Sequence, residues 1–411
     1  SISRQQVLFA IHRLYHPRTN KGLFKAVRSK PLRTLCEEAE ASVNTFFDAA
    51  ADLVRHNGRG QSLLVRQPRP LADTATASLQ QLEHAAKEAL ESHKGKIDEE
   101  ELTAAQHLVW EAGILIREFL SRTDPTLTYW IEVGSGRTQN VHFHTTPTSV
   151  ADSMGPRLFR PGTSAILTSA TLAVNGSFGY VQARLGAQAA RTVSVDTPFD
   201  FRRQMRVTLA RGIPAPDQPS YLEHLPEWVH AAVHRSKGRA LVLFTSTASL
   251  RACAAALQER FQREGISLLR QDGLTPRHRL LEEFRADVGS VLFGLDSFWM
   301  GVDVPGEALE HVIITRLPFA VPDHPLIESR MDDIKEHQGN PFFDYQLPEA
   351  VLKFRQGVGR LIRTSSDTGR ITVLDARVLT KQYGRAFILS IPRCPIEILD
   401  GDGNVEEVEM E

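Results

Sequence analysis

From Ala165 onward the chain alternates short apolar, β-rich runs with amphipathic helical stretches, and that alternation constrains the fold more than any other feature. The expected strands are AILTSATL (165–172), RVTLARG (206–212), RALVLFTS (239–246), SVLFG (290–294), HVIITRLPF (311–319) and RITVLDA (370–376). Between them lie helical patterns such as YLEHLPEWVHAAVH, SLRACAAALQERF and RHRLLEEFRA. Nearly continuous apolar strands separated by helices predict a parallel sheet covered on both faces. The functional loops of such an α/β domain follow the carboxyl ends of its strands.

The first third reads differently. From Ser3 to about Arg122 the period is helical, with one stripe at Val7, Leu8, Ile11, Leu14 and Tyr15 and a second at Leu35, Ala39, Val43, Phe46, Phe47, Ala50 and Val54. After the Gly-, Arg- and Pro-rich loop HNGRGQSLLVRQPRP, two more stripes start at Leu79 and Leu108, and an antiparallel helical domain is the simplest packing. The run IDEEEL is read as an exposed acidic turn. At Thr128 the period changes, and TYWIEV and NVHFHTT read as strands around the turn Gly134, Ser135, Gly136. His142 and His144 share one side of the second strand. With no carboxylate or thiolate partner recognised nearby, they are read as ordinary strand histidines and not as metal ligands.

At 411 residues the chain is long enough for two or three domains. No stretch approaches ~20 uninterrupted apolar residues and no signal core opens the chain, so a membrane role is not expected and a cytoplasmic location is. Cys36, Cys253 and Cys394 are few and widely separated, which argues against a disulfide framework or a Cys-rich metal site. Cys253 belongs to a helical apolar face with Leu250, Leu257 and Phe261. The formal net charge of −1 means that any nucleic-acid contact must be local. An acidic tail, Glu406, Glu407, Glu409 and Glu411, is expected to be solvated and mobile.

The most informative segment is LPEAVLKFRQGVGRLIRTSSDTG (347–369), with Pro348 well placed at a helix start. On a helix, Val351, Phe354, Val358, Leu361 and Ile362 form an apolar arc, while Lys353, Gln356, Arg360 and Arg363 take the opposite one. Gly357 and Gly359 inside a helix each cost roughly 1 kcal/mol relative to alanine, so close approach to that backbone is expected. The two arginines suit a phosphate in a transition state, because a guanidinium stays charged and donates a bidentate fork. A solvated basic face with salt bridges is the plainer alternative.

Gln356, Gly359, Arg360 and Arg363 reproduce the Q-x-x-G-R-x-x-R pattern of the sixth motif of superfamily-two helicases. SFWMGVDVPG (297–306) resembles the fifth motif, and TSATL (168–172) the third. The stretches GSFGYVQARLG, TPFDF, ITRLPFAVPDHP and LDARVLTKQYGR resemble bacterial DinG-type relatives of XPD, and the similarity runs from about Thr128 to Cys394.

The resemblance implies an α/β, RecA-like helicase motor of the P-loop type plus an all-helical, arch-like domain. Residues 1–125 would be the arch, 126–200 the carboxyl part of a first motor domain, 201–400 the second motor domain and 401–411 the acidic tail. Arg360 and Arg363 would be catalytic, reaching the γ-phosphate across a cleft. Gln356, Gly359, Gly301 and Asp303 would help bind ATP; a turn carboxylate is the plainer role of Asp303. Thr168, Ser169, Ala170 and Thr171 would couple nucleotide state to domain closure, unless they merely end a strand. Thr245, Ser246 and Thr247, at a strand-to-helix junction, would take a DNA phosphate; a simple helix cap is the alternative. Ser297 and Phe298, with Trp299, would contact the DNA strand, although core packing accounts equally well for the aromatics. Met300 departs from the acidic residue expected in many relatives.

ATP and Mg²⁺ are the implied cofactors, yet neither a G-x-x-x-x-G-K-[ST] loop nor a DEAH-like run occurs here. In the family these elements, and an iron–sulfur cluster where present, lie upstream of the arch. The expectation is an amino-terminally truncated monomer, inactive alone, of a bacterial, nucleoid-associated DNA helicase for repair or replication. Its partners would be single-stranded DNA, duplex junctions and the missing motor segment, with 5′ to 3′ movement. The alternatives are a noncatalytic DNA-binding or scaffolding protein, and an RNA helicase of the same superfamily.

Overall fold

The computed structural model describes residues 1–27, 29–134, 139–300, 304, 306–321, 324–400 and 404–408. Two compact units emerge: 1–153 with 321–339, and 154–320 with 340–411.

In the first unit, β1 (Ile2–Ser3) leads into α1 (Arg4–Leu14) through a capping box, in which Ser3 and Gln6 each bond the other's backbone amide. A single turn, α2 (Phe24–Val27), precedes the long α3 (Lys30–Asn57), whose start is fixed by Ser29 and by Pro31 in its first turn. Next come β2 (Ser62–Val65), α4 (Thr76–Ser92) and α5 (Glu99–Ser121). The acidic run is not a turn. Asp98 caps α5 and Glu99, Glu100 and Glu101 fill its first turn, where the positive end of the helix dipole favours carboxylates.

β3 (Leu127–Val133) and β4 (Val141–Pro147) pair in the expected hairpin, whose turn residues Ser135 and Gly136 lie outside the described residues. The helical region is not free of strands, because β1 and β2 flank this hairpin in an antiparallel sheet ordered β1-β4-β3-β2. β2 sits inside the segment expected to be a loop; its pairing with β3, remote in sequence, creates it. The predicted helical stripes become the buried face, where Phe143 stacks on Phe47 and Phe119 at 5.2 and 4.6 Å between centroids.

The 321–339 segment brings a helix at Pro325–Glu336 to this unit. Arg66 reaches Glu328 and Asp332 at 2.6 and 2.9 Å, and Thr128 bonds Ser329 at 2.8 Å. His142 and His144 also differ from expectation. Glu132 stands opposite His142 in the β3–β4 register and lies 3.3 Å from His144, so a carboxylate is nearby after all.

The second unit runs through α6 (Ala151–Leu158, which begins in the first), α7 (Gly179–Leu185), α8 (Phe201–Gln204), β5 (Met205–Ala210), α9 (Ser220–Arg235) and β6 (Ala240–Leu243). It continues with α10 (Thr247–Arg263), β7 (Leu268–Arg270), α11 (Arg277–Ala286), β8 (Val291–Gly294), α12 (Asp296–Trp299) and β9 (His311–Ile314). After α13, the helix at Pro325–Glu336, come α14 (Leu347–Val358), β10 (Gly369–Val373), α15 (Arg377–Thr380), α16 (Gly384–Ser390), β11 (Ile396–Leu399) and β12 (Val405–Val408).

The sheet order is β12-β11-β5-β10-β9-β6-β8-β7, parallel except for β12. Along β6, Leu241 and Leu243 pack into one helical layer with Phe354 and Val351, while Ala240 and Val242 pack into the other with Val229, Leu250 and Phe261. Alternate strand residues therefore need apolar cover on both sides, which is why the runs read as continuously apolar. Cys253 is part of the second layer.

Two strand-level expectations fail. AILTSATL forms no strand: Ile166 is 87% exposed, and no described strand pairs with this segment. A β-strand exists only by hydrogen bonding to neighbours, and local apolarity cannot supply them. The acidic tail is ordered as far as β12, where Glu407 pairs with Arg206 at 3.2 Å and Glu406 with Arg211 at 3.3 Å; Glu409 and Glu411 lie outside the described residues.

Candidate nucleotide-motor site

The candidate residues that the second unit brings together sit past the carboxyl ends of parallel strands. After β6, Ser246 caps α10, its Oγ accepting from the Ser249 amide at 3.1 Å and contacting the Ser249 hydroxyl at 2.8 Å. Its hydroxyl thus serves its own helix. Thr247 is exposed and Thr245 partly so.

After β8, α12 carries Ser297, Phe298 and Trp299. Ser297 is exposed, with its hydroxyl 3.4 Å from Gln271 Oε1, which also accepts from the Leu295 amide at 2.9 Å. Phe298 and Trp299 are completely buried. A ring with no exposed face cannot stack on a base, so the aromatic DNA contact expected at Phe298 is overturned; both aromatics are core. Trp299 Nε1 donates to the Phe244 carbonyl at 3.2 Å, tying this loop to the end of β6. Gly301 and Asp303, the expected ATP contacts further along, lie outside the described residues.

α14 begins with Pro348 in its first turn, as expected, and follows directly on a π-helical turn at Phe342–Gln346. It ends earlier than the periodicity predicts. The helix stops at Val358, with the Gly359 amide bonding the Arg355 carbonyl at 2.9 Å, so Arg360 to Arg363 form a turn and not a helical face. Leu361 and Ile362 remain buried, Gln356 and Arg360 are partly exposed, and Arg363 is exposed.

Arg360 Nη2 donates to the Trp299 carbonyl at 3.2 Å, linking the two candidate motif loops. Beyond it, Asp367 accepts from the amides of Arg363 and Thr364, both at 2.8 Å, and Gln204 Nε2 bonds the carbonyls of Thr364 and Asp367, so the turn bearing Arg363 is held from two directions.

Thr168, Ser169, Ala170 and Thr171 lie in an exposed segment without a strand, where Ser169 Oγ accepts from the Thr171 amide at 3.2 Å. Near it, Arg355 Nη1 donates to the Ala173 carbonyl at 3.2 Å, and burial lowers the pKa of its guanidinium.

Sequence reasoning passed over several residues that hold this surface. Gln271 follows β7 and anchors the start of α12. Lys353 Nζ lies 2.8 Å from Asp296 and 5.5 Å from the Trp299 ring centroid. Arg277 donates to the Met300 carbonyl at 2.7 Å. Asp375, fully buried at the end of β10, accepts from the Leu317 amide at 2.9 Å and is bracketed by Arg377. Gln271 and Asp375 both stand just past observed strands, but β7 is not among the expected strands and Asp375 falls inside the expected run 370–376, so spacing gives no signal for either.

Cys36, Cys253 and Cys394 are free thiols. Burial pushes the thiols of Cys36 and Cys253 up to about 12 and that of Cys394 to about 11.

A doubly covered parallel sheet carries these motif loops along its carboxyl edge, and the family model described as helicase C-terminal domain matches residues 229–394. The chain is similar in sequence to relatives named YoaA and DinG. It is 40% identical over 264 residues to the ATP-dependent DNA helicase YoaA of Haemophilus influenzae, covering 64% of this chain and 40% of that protein. It is 33% identical over 339 residues to the 3'-5' exonuclease DinG of Bacillus subtilis, covering 79% of this chain and 36% of that one. Each match thus spans less than half of the relative's own length. Among solved structures, S. tokodaii Xpd4 superposes with a TM-score of 0.56 at 14% identity, over 96% of this chain and 71% of that one, a likeness of fold. Among the described residues no helix is long and apolar enough to cross a membrane.

Proposed function

We propose that this chain supplies the second motor domain of an ATP-dependent DNA helicase, which couples ATP hydrolysis to translocation along single-stranded DNA and to duplex unwinding. The observation that carries this reading is the Arg360–Trp299 link. It fixes a guanidinium-bearing turn against the loop after β8, with Arg360 partly exposed and Arg363 exposed. A guanidinium held in that way can neutralise charge on a transferring phosphoryl group.

The residues present fit half of a nucleotide site. Arg360, Arg363 and Gln356 would face the phosphates, whereas a phosphate-cradling loop and Mg²⁺-binding acids must come from other residues. ATP bound there would supply the phosphoryl group. Of the stretch 126–200 proposed for a first motor domain, the exposed apolar residues Ile166, Val193 and Val195 support the later part, since as strands they would bury that surface in its sheet. By contrast, β3 and β4 pair within the first unit. Single-stranded DNA is the proposed track and a monomer the working state. Thr245, Thr247 and Ser297 remain the proposed DNA contacts, and Thr168 to Thr171 the proposed coupling segment.

The test joins this chain to a segment bearing a G-x-x-x-x-G-K-[ST] loop and its acidic pair, and measures DNA-stimulated ATP hydrolysis. Arg360→Ala and Arg363→Ala are expected to lower turnover on the order of 10³-fold, the usual range for such arginines, with ATP still bound. The chain by itself is expected to hydrolyse no ATP. Wild-type turnover in both variants would sink the motor reading and favour a noncatalytic DNA-binding role.

A further inference from the structure

A second group of ligand-type side chains lies at the opposite end of the sheet from the motif loops. α9 finishes just before the amino end of β6, whereas α10 starts past its carboxyl end and runs back. The last turns of both helices meet there. His230 and His234, one turn apart on α9, face Glu264, the residue that ends α10. His230 Nε2 is 2.7 Å from one Glu264 oxygen and His234 Nδ1 is 3.7 Å from the other, and the ligand atoms lie within 4.8 Å of one another.

We propose that His230, His234 and Glu264 bind a divalent transition-metal ion, zinc foremost, which clamps α9 to α10. Two imidazoles at helical i, i+4 spacing plus one carboxylate form a three-residue set that zinc accepts, with water in the fourth position. Glu264 thus meets His230 through one oxygen and His234 through the other, so both imidazoles already converge on one carboxylate. His230 is nearly buried and stacked against Phe261, so one ligand is already oriented, while exposed His234 leaves a path for the ion.

The electrostatics agree. Both helices point their carboxyl ends at the site, and that end of a helix favours cations. Hydrogen bonding to His230 holds the Glu264 carboxyl below its ordinary range, so it is anionic at neutral pH. Arg260 approaches Glu264 to 3.9 Å, but both oxygens of Glu227 hold its guanidinium at 2.8 and 2.9 Å. Zinc would take the neutral imidazole of His230 through Nε2, with the ring's single N–H carried on Nδ1. This proposal is independent of the motor reading, because Ser246 and the motif loops stand at the other edge of the sheet.

The test titrates zinc chloride into the purified full chain, following stoichiometry by chelator competition and Tm by thermal unfolding. One zinc per chain and a raised Tm are expected. His234→Ala and Glu264→Gln should each weaken binding on the order of 100-fold, at least the effect of outer-shell changes at known sites. The zinc-free Tm of His234→Ala should stay unchanged, and His234→Cys should retain binding. The proposal is overturned if zinc leaves Tm unaltered. It is equally overturned if binding survives in both variants but falls in His12→Ala, whose histidine pairs with Glu40 at 3.0 Å.

Discussion

The six-membered ring of Trp299 lies against the backbone of Gly357, so close that a Cβ built there would stand 3.1 Å from two of its carbons and 3.2 Å from Leu243 Cδ1. The expected close approach to this helix is therefore an indole from the loop after β8. The same Trp299 offers its carbonyl to Arg360, which makes Gly357 the residue that lets the two motif loops meet.

Gly357→Ala should lose about 1 kcal/mol, because overpacking of roughly 1–3 kcal/mol is partly offset by the ~1 kcal/mol that alanine gains in a helix. Gly357→Val, with two further methyl groups against a buried ring, should lose about 3 kcal/mol. Urea unfolding checks both, and a stabilised valine variant would contradict the packing.

Phe298→Ala should destabilise by roughly 3–5 kcal/mol, the usual cost of emptying a buried phenylalanine site, while Ser297→Ala should stay within about 0.5 kcal/mol. Binding of single-stranded DNA by the remaining folded Phe298→Ala protein should match wild type. A selective loss of DNA affinity at full stability would restore the stacking role that burial denies.

Asp375 is fully buried, and Arg377 bonds it through Nη2 at 2.7 Å. Asp375→Ala would leave the Leu317 amide and a mostly buried guanidinium without their acceptor, and the expected cost is about 3–5 kcal/mol. Denaturant midpoints of Asp375→Ala and Asp375→Asn decide it; the amide should recover part of the loss through the Leu317 bond.

His311, on β9, bonds Thr372 Oγ1 at 2.7 Å and Ser236 Oγ at 3.2 Å in the core. Burial, reinforced by Arg370 and Arg235, pushes its pKa down to about 3 from 6.5. Because the folded value is the lower, the unfolded chain binds the extra proton between those limits. Stability should fall as pH drops below about 6.5 and keep falling toward 3, with a slope of at most ~1.4 kcal/mol per pH unit from this group. His311→Gln should flatten the profile by one proton's worth, measured as urea unfolding across pH 4–7; an unchanged slope would show that His311 does not titrate this way.

Periodicity alone located α9, α10, α11 and α14 and the strands β5, β6, β8, β9 and β10, because each buries a regular face and burial writes itself into residue spacing. The pattern Q-x-x-G-R-x-x-R singled out residues 356–363, although the helical face expected there gives way to a turn after Val358. What spacing could not carry was partnership. The apolar run at 165–172 has the composition of a strand without a neighbour to bond, whereas SLLV, inside a loop-like segment, becomes β2 because β3 lies beside it. Residue order also could not say which polar groups would find one another: Gln271 with Leu295, Asp375 with Leu317, or Glu264 with two histidines on another helix. Local propensity and the burial pattern belong to short stretches and were determined by the sequence itself. Hydrogen-bond partners and buried contacts join residues far apart along the chain, and only the packed tertiary structure chose them.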